Sequence, residues 1–180
     1  MDKTASGRAG ELALALYALV TADGEVELFT PVADDDHVDA VAGRRGGLPK
    51  LAIQVKTATH LDRNGLVEAK ASYPAGRVRE HPDFVYAVVL LDSVAIGAAW
   101  LIPSPDLNRL AYRRPEKGRE ILEFRASPRR ADNFTPFAVA PGELGLRLLA
   151  LIDAAPRAPS PSWLAGVLSA VREGGLPQAR

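Results

Sequence analysis

Three polar side chains interrupt two otherwise apolar stretches of this sequence, "VDAVA" at residues 38–42 and "LAIQVKTA" at residues 51–58. Asp39 lies in the first stretch, and Gln54 and Lys56 lie two positions apart in the second. Together they offer a carboxylate, an amide oxygen and an ammonium group. Oxygen ligands beside a cation are what a divalent-metal site for hydrolysis needs. The pattern therefore raises the hypothesis of a metal-dependent site.

Strand alternation explains how these side chains could meet. Both stretches read as strands, and the connection between them contains three glycines that suit a hairpin turn. Side chains alternate along a strand, so Gln54 and Lys56 project to one face while Ile53 and Val55 project to the other. Pairing of the two strands is expected to bring Asp39 to the face of Gln54 and Lys56. The apolar face would then be free to pack on a helix.

The rest of the chain predicts the elements that would hold this hairpin. A first helix is expected from Thr4 or Ser6 to about Ala22, because its leucines recur at helical spacing. Residues 83–92 are nearly all apolar, which predicts a central strand buried on both faces. Strands are also predicted at "EVELFTPV", "IGAAWLIPS" and "REILEFRA", a strand or extended segment at "GLVEAKASY", a polar turn at "ADDD", and helices at residues 105–111 and 141–155.

The length of 180 residues suits one domain with a real core. We place this domain at residues 1–155, followed at 156–180 by a proline-rich linker and a C-terminal amphipathic helix. The last helix carries an apolar stripe that must be buried, either against this domain or against a second copy of the chain. A homodimer through the C-terminal helix is therefore one alternative.

Composition excludes several classes of protein. The chain has no cysteine, so disulfide frameworks, thiolate metal sites and thiol nucleophiles are ruled out. No segment reads as a signal peptide or a membrane span, which predicts a cytoplasmic protein without membrane attachment. The net charge is zero, but residues 108–130 carry eight basic against three acidic side chains. That segment could bind a polyanion if it folds onto one face, or it could be a solvated loop and strand edge.

The order of these motifs resembles that of the PD-(D/E)XK nuclease superfamily. The matching pieces are "GRAGELALALYALV" with Glu11 on the first helix, "VDAVAG" with Asp39, and "LAIQVKTA" with Gln54-Val55-Lys56. The similarity covers residues 6–60 and is closest to Holliday-junction resolvases, Mrr-type restriction endonucleases and intron-encoded homing endonucleases. The resemblance implies an α/β, restriction-endonuclease-like fold with a mixed central sheet of about five strands flanked by helices. Val38 stands where proline is common, and Gln54 replaces the usual acid.

The resemblance also implies a mechanism and a set of roles. The protein would be a Mg²⁺-dependent endonuclease that hydrolyses DNA phosphodiester bonds, with Mn²⁺ as an alternative metal. Asp39 would be the principal metal ligand, helped by the Gln54 side-chain oxygen and the Val55 carbonyl, with Glu11 completing the shell directly or through water. Lys56 would orient or deprotonate the attacking water and stabilise the developing charge.

Each of these residues could also have an ordinary structural role. Taken singly, Glu11 could be a solvated first-turn acid, Asp39 an acceptor of hairpin N–H groups, Lys56 an edge-strand charge and Gln54 an exposed strand residue. Further DNA-contact candidates, each of which could equally be a plain surface residue, are His37, Arg44, Arg45, Thr57 and His60. The competing function is a catalytically inactive module of the same fold that binds nucleic acid or a protein partner.

Overall fold

The computed structural model describes residues 3–31, 37–48 and 50–155. Three helices occur in this part of the chain: α1 (Lys3–Thr21), α2 (Ser104–Leu110) and α3 (Leu144–Ala154). Two short 3₁₀ helices lie at Thr135–Phe137 and Pro141–Glu143. The strands are β1 (Val26–Phe29), β2 (Ala40–Arg44), β3 (Leu51–Ala58), β4 (Val67–Pro74), β5 (Phe84–Asp92), β6 (Ala95–Pro103), β7 (Tyr112–Glu116), β8 (Arg119–Ala126) and β9 (Ala138–Val139).

A six-stranded mixed sheet forms the centre of the domain. Its order is β1-β2-β3-β5-β6-β9, and all neighbours are antiparallel except β3 and β5, which are parallel. Strand β5 lies inside the sheet and is buried along most of its length, as its apolar sequence predicts. The predicted α/β class with a mixed central sheet flanked by helices is confirmed. The short β9 makes the sheet one strand larger than expected.

Helices α1 and α3 cover one face of the central sheet. They approach closely because Gly145 has no side chain, and a methyl group there would overlap the carbonyl oxygen of Ala18. Thr21 strengthens the contact, since its Oγ1 accepts a hydrogen bond from the Gly145 N–H at 2.7 Å. Apolar residues of the central strands, including Ile53 and Val55, complete this core. The helical face therefore has the apolar composition that the hairpin pattern predicted.

A second sheet covers the opposite face, and the sequence did not predict it. Its order is β4-β8-β7, entirely antiparallel. Along β4 the residues Val67, Ala69, Ala71 and Tyr73 are buried, whereas the residues between them are more exposed. The extended segment predicted at "GLVEAKASY" is thus part of a sheet, because β8 pairs with all eight residues of β4. The two sheets enclose a second apolar core.

The basic segment at residues 108–130 spans the end of α2, β7, β8 and the following loop. On β7 and β8 its cations meet acidic partners: Glu123, only 7% exposed, lies 2.7 Å from Arg125 and 3.8 Å from Arg114. Arg119 donates to the hydroxyl and carbonyl of Ser72 on β4. Much of the local positive charge is therefore compensated within the second sheet.

Several predicted features lie outside the described residues. They are the acidic turn near residues 33–36, the proline-rich linker and the C-terminal helix with its dimer interface. The short helix predicted at 105–111 is α2, displaced by one residue, whereas β7 was not predicted. None of the described helices is both long enough and apolar enough to cross a lipid bilayer.

Candidate active site

Asp39 is fixed against strand β3 by two hydrogen bonds. Its backbone N–H donates to the Ile53 carbonyl at 2.9 Å, and its Oδ2 accepts from the Val55 N–H at 2.6 Å. Because Asp39 precedes the first residue of β2, the alternation of that strand does not determine where its side chain points. The carboxylate is nevertheless held beside Val55, one residue from Lys56, which is the neighbourhood that the sequence motif predicts.

Glu11 and Asp39 share a small cavity under helix α1. The cavity has a volume of about 70 Å³, and its walls include Arg8, Glu11, Asp39, Ala40 and Val55. Glu11 lines the cavity from α1, and its Oε2 accepts a hydrogen bond from Arg8 Nη1 at 2.7 Å. Glu11 and Asp39 therefore line one cavity that is otherwise walled mainly by apolar residues, including Leu14 and Leu28, and that has room for an ion and water.

This donor set fits a hard divalent cation that keeps several waters. Asp39 and Glu11 supply carboxylate oxygens, and Val55 belongs to the same cavity wall. Arg8 limits the fit, since its guanidinium already neutralises part of the Glu11 charge. Within residues 3–31, 37–48 and 50–155, no three side chains of His, Asp or Glu come together as a metal cluster. A metal here would depend on water for much of its coordination.

Gln54 lies on the other side of β3, between the two sheets. Its side chain is 3% exposed, and its Oε1 accepts a hydrogen bond from the Tyr73 hydroxyl at 3.0 Å. The Tyr73 and Tyr86 hydroxyl oxygens are 2.6 Å apart. Because the single Tyr73 proton goes to Gln54, Tyr86 is the donor to Tyr73. Gln54 does not line the cavity that Asp39 and Glu11 share.

Burial keeps both tyrosines of this network protonated. Desolvation raises the pKa of the Tyr73 hydroxyl, and the negative charge of Asp39 raises it further. Desolvation also raises the pKa of Tyr86, and its hydrogen bond with Tyr73 acts in the same direction. Both hydroxyls therefore act as neutral hydrogen-bonding groups of the inter-sheet core.

Lys56 and Thr57 project to opposite faces of β3. Thr57 lies under α1, where a methyl group at Gly10 would overlap its side chain. The Thr57 Oγ1 is buried and has no hydrogen-bond partner among the described residues. Lys56, on the face of Gln54, is half-buried and lies opposite Val88 of the parallel strand β5. Lys56 therefore shares a face with Gln54 and does not line the cavity of Glu11 and Asp39, whereas Thr57 lies beneath a helix.

The other DNA-contact candidates occupy three separate surfaces. His37 is exposed and packs its ring edge-on against Tyr73, with 5.4 Å between ring centres. Arg44 makes two hydrogen bonds to Asp153 of α3, at 2.8 and 2.6 Å, and this pairing raises the pKa of the guanidinium. Arg45 is exposed in the hairpin turn, and His60 is exposed in the loop after β3. Of these four residues, His37 is the one that lies against the residues around Gln54.

Sequence reasoning missed the two tyrosines that hold Gln54. The signal for Tyr73 was present, because small and apolar residues alternate with polar ones along β4 and predict that its side chain faces inward. Tyr86 lies in the nearly all-apolar β5, and its register directly opposite Gln54 depends on the parallel pairing with β3. No local pattern reveals that pairing.

Comparison with known proteins identifies a shared fold. No protein-family model matches the chain, and no curated protein matches it in sequence. The structure is similar to that of a bacterial homing endonuclease, I-Ssp6803I, with a TM-score of 0.58 and 15% sequence identity. The alignment covers 85% of this chain and 95% of the endonuclease. At this level of identity the similarity shows that the two proteins share a nuclease-like fold.

Proposed function

We propose that this protein is a metal-dependent endonuclease that hydrolyses DNA phosphodiester bonds through a PD-(D/E)XK-type site. The observation that carries the proposal is that Glu11 and Asp39 line one cavity beside Val55, with the Asp39 carboxylate fixed by the Val55 N–H. The fold shared with a homing endonuclease supports the same assignment. Mg²⁺ is the proposed cofactor and Mn²⁺ the alternative, because carboxylate oxygens suit both metals.

Each residue of the site then has a defined task. A bound metal ion would activate water and neutralise charge on the phosphate. Asp39 and Glu11 would hold the ion, with Asp39 kept in place by the Val55 N–H. Lys56 leaves β3 on the face opposite the cavity, so its task in this proposal is a hydrogen bond to a phosphate oxygen of the DNA as negative charge grows there. The water oxygen would form the new bond to phosphorus and release a proton to solvent, while the P–O bond to the leaving sugar breaks and the leaving oxygen takes up a proton from solvent.

Gln54 has a different task from that of a metal ligand in this proposal. Its amide is held by Tyr73 within the inter-sheet core, so it supports the segment of β3 that carries Val55 and Lys56. A neutral side chain suits this position because an ionised acid would be costly in a buried environment. The predicted ligand set is therefore modified to Asp39, Glu11 and the Val55 main chain.

The test is DNA cleavage by the full chain with Mg²⁺ or Mn²⁺, using linear, supercoiled and branched substrates. Lys56→Ala and Asp39→Asn should each reduce cleavage by about 100-fold or more, because each removes charge stabilisation or metal binding. Lys70→Ala is the matched control, since it removes an ammonium group from the exposed face of β4, where Lys70 pairs with Glu68 at 2.7 Å. Cleavage that persists in both site variants would place the chemistry elsewhere.

A second function, a catalytically inactive module that binds nucleic acid or protein, is favoured by two observations. The Gln54 amide oxygen is already hydrogen-bonded to Tyr73, and the Glu11 carboxylate is already paired with Arg8. Absence of cleavage on every substrate and with both metals, together with DNA binding that does not need a metal, would establish this alternative.

A further inference from the structure

An open groove lies where the parallel strands β3 and β5 end. Its volume is about 380 Å³, and its floor includes Leu61 and Leu90. The polar groups of its lining are Thr59 and His60 after β3, Asp92 at the end of β5, and Arg129 in the loop after β8. The groove is separate from the cavity of Glu11 and Asp39, and it lies on the path that β3 takes beyond Lys56.

Two internally braced loops form the sides of this groove. In the loop after β3, the Oδ1 of Asp62 accepts hydrogen bonds from the N–H groups of Asn64 and Leu66 at 2.8 and 2.9 Å. These bonds hold the pKa of Asp62 below its ordinary value. In the loop after β8, Asp132 accepts from the Ser127 N–H at 2.7 Å. The loops are thus ordered by their own hydrogen bonds before any ligand binds.

The same loops carry three arginines beside the two aspartates that brace them. Arg63 is exposed on the first loop, and Arg129 and Arg130 are exposed on the second. Arg130 also links the loops, because its Nη2 donates to the Asn64 carbonyl at 3.2 Å. The carboxylates of the two loops are engaged by backbone N–H groups, whereas Asp92 is the acidic group within the groove lining.

We propose that this groove binds the phosphodiester backbone of the DNA strand that passes Lys56. The assignment rests on the proposed nuclease function and extends it to a second stretch of the substrate. His60 follows Lys56 by four residues, a span of at most about 13 Å along an extended chain. A backbone held at Lys56 can therefore continue into the groove, with its phosphates toward Arg63 and Arg129.

The chemistry of the groove favours a nucleic acid over an acidic peptide. The Arg129 guanidinium can pair with phosphate and carboxylate oxygens alike, so the apolar part of the lining makes the distinction. The apolar floor matches the sugar and base surfaces that accompany each phosphate. The groove also lies on the path of β3 beyond Lys56, so a DNA strand cleaved near Lys56 can extend into it.

The experiment measures binding of a fluorescein-labelled DNA duplex to the full chain by anisotropy, over a range of salt and in EDTA so that no cleavage occurs. The test variant is Arg63→Ala combined with Arg129→Ala. Loss of two phosphate contacts should reduce the slope of log affinity against log salt by about two and weaken binding at least about tenfold at low salt. Arg77→Ala is the control, because Arg77 is exposed beyond β4, at the other end of the second sheet.

The outcomes separate this inference from the nuclease proposal. A double variant that loses affinity while Arg77→Ala does not supports the groove, whether or not the protein cleaves DNA. A double variant that binds with the wild-type slope overturns the groove even if Lys56-dependent cleavage is observed. Displacement of the DNA by polyglutamate at equal charge concentration would also overturn it, because the groove would then lack preference for phosphate.

Discussion

The neutral amide at position 54 leads to a specific prediction for the substitution Gln54→Glu. This change introduces the acid usual in the PD-(D/E)XK motif that the sequence resembles, with almost no change in shape. In this structure the new carboxyl would be buried between two sheets, because Gln54 is 3% exposed and its neighbours Tyr73 and Tyr86 are 3% and 1% exposed. One hydrogen bond, from the Tyr73 hydroxyl, would be available to the acid oxygen that replaces Oε1.

Burial should keep the introduced carboxyl protonated near neutral pH. One hydrogen bond favours its ionised form, but desolvation opposes ionisation, as it does for Tyr73. An unfolded glutamate has a pKa of about 4.3, and each unit between that value and the folded pKa costs about 1.4 kcal/mol. The variant should therefore be about 2–4 kcal/mol less stable than wild type at pH 7.

The pH dependence provides the sharper measurement. Because the folded variant retains a proton that the unfolded chain releases, its stability relative to wild type should fall as pH rises above about 4.3. Urea unfolding followed by circular dichroism should show a difference between variant and wild type that is small at about pH 4 and large at about pH 8. The reasoning would be refuted if the variant and wild type differed equally in unfolding free energy at both pH values and the variant cleaved DNA faster with Mg²⁺. Position 54 would then be open to solvent and metal.

Three further substitutions test the packing around the site. Tyr73→Phe should lower the free energy of unfolding by about 1–3 kcal/mol in urea, because it leaves a buried amide oxygen without its donor, whereas Tyr112→Phe at a 67% exposed position should have almost no effect. Thr57→Val should preserve or raise the melting temperature and leave cleavage unchanged, since the hydroxyl is buried without a partner in the described chain. Loss of DNA binding with an unchanged melting temperature would instead support the DNA contact predicted for Thr57. Gly145→Ala should lower the unfolding free energy by about 2 kcal/mol or more, because the methyl would overlap the α1 backbone, whereas Gly142→Ala, with nothing within 4 Å, should be near neutral.

Local pattern was sufficient for the strand that carries Gln54 and Lys56. Strand β3 begins and ends at the predicted residues. Its apolar residues and the alternation of polar with apolar side chains both fall within these eight positions. The same alternation predicts that Gln54 and Lys56 share a face. It gives no information on what covers that face. The cover is β4, whose partner β8 lies about fifty residues further along the chain, so its pairing leaves no local signal.

The prediction for Asp39 shows a different limit of sequence reasoning. The residue was assigned to β2 and to the face of Gln54, but it lies one residue before the strand and hydrogen-bonds to the Val55 N–H. Strand alternation applies only inside regular pairing, and a side chain at the entry of a strand can turn toward the sheet edge. The contact between Asp39 and the Val55 N–H therefore depends on this local irregularity.

The covering of Gln54 also gives a physical reason for an amide in this motif. An acid is tolerated at such a position when water and metal reach it, but here Tyr73 and Tyr86 exclude water from one side of β3. The charged groups Glu11 and Asp39 instead lie around the cavity beneath α1. A buried acid at position 54 would have to serve both as a hydrogen-bonding group of the core and as a metal ligand. Here the Gln54 amide serves the core, and the Glu11 and Asp39 carboxylates line the cavity proposed for the metal. If this separation is correct, substitution of Gln54 should act on stability first, whereas substitution of Asp39 should act on metal-dependent cleavage without a comparable change in pH-dependent stability.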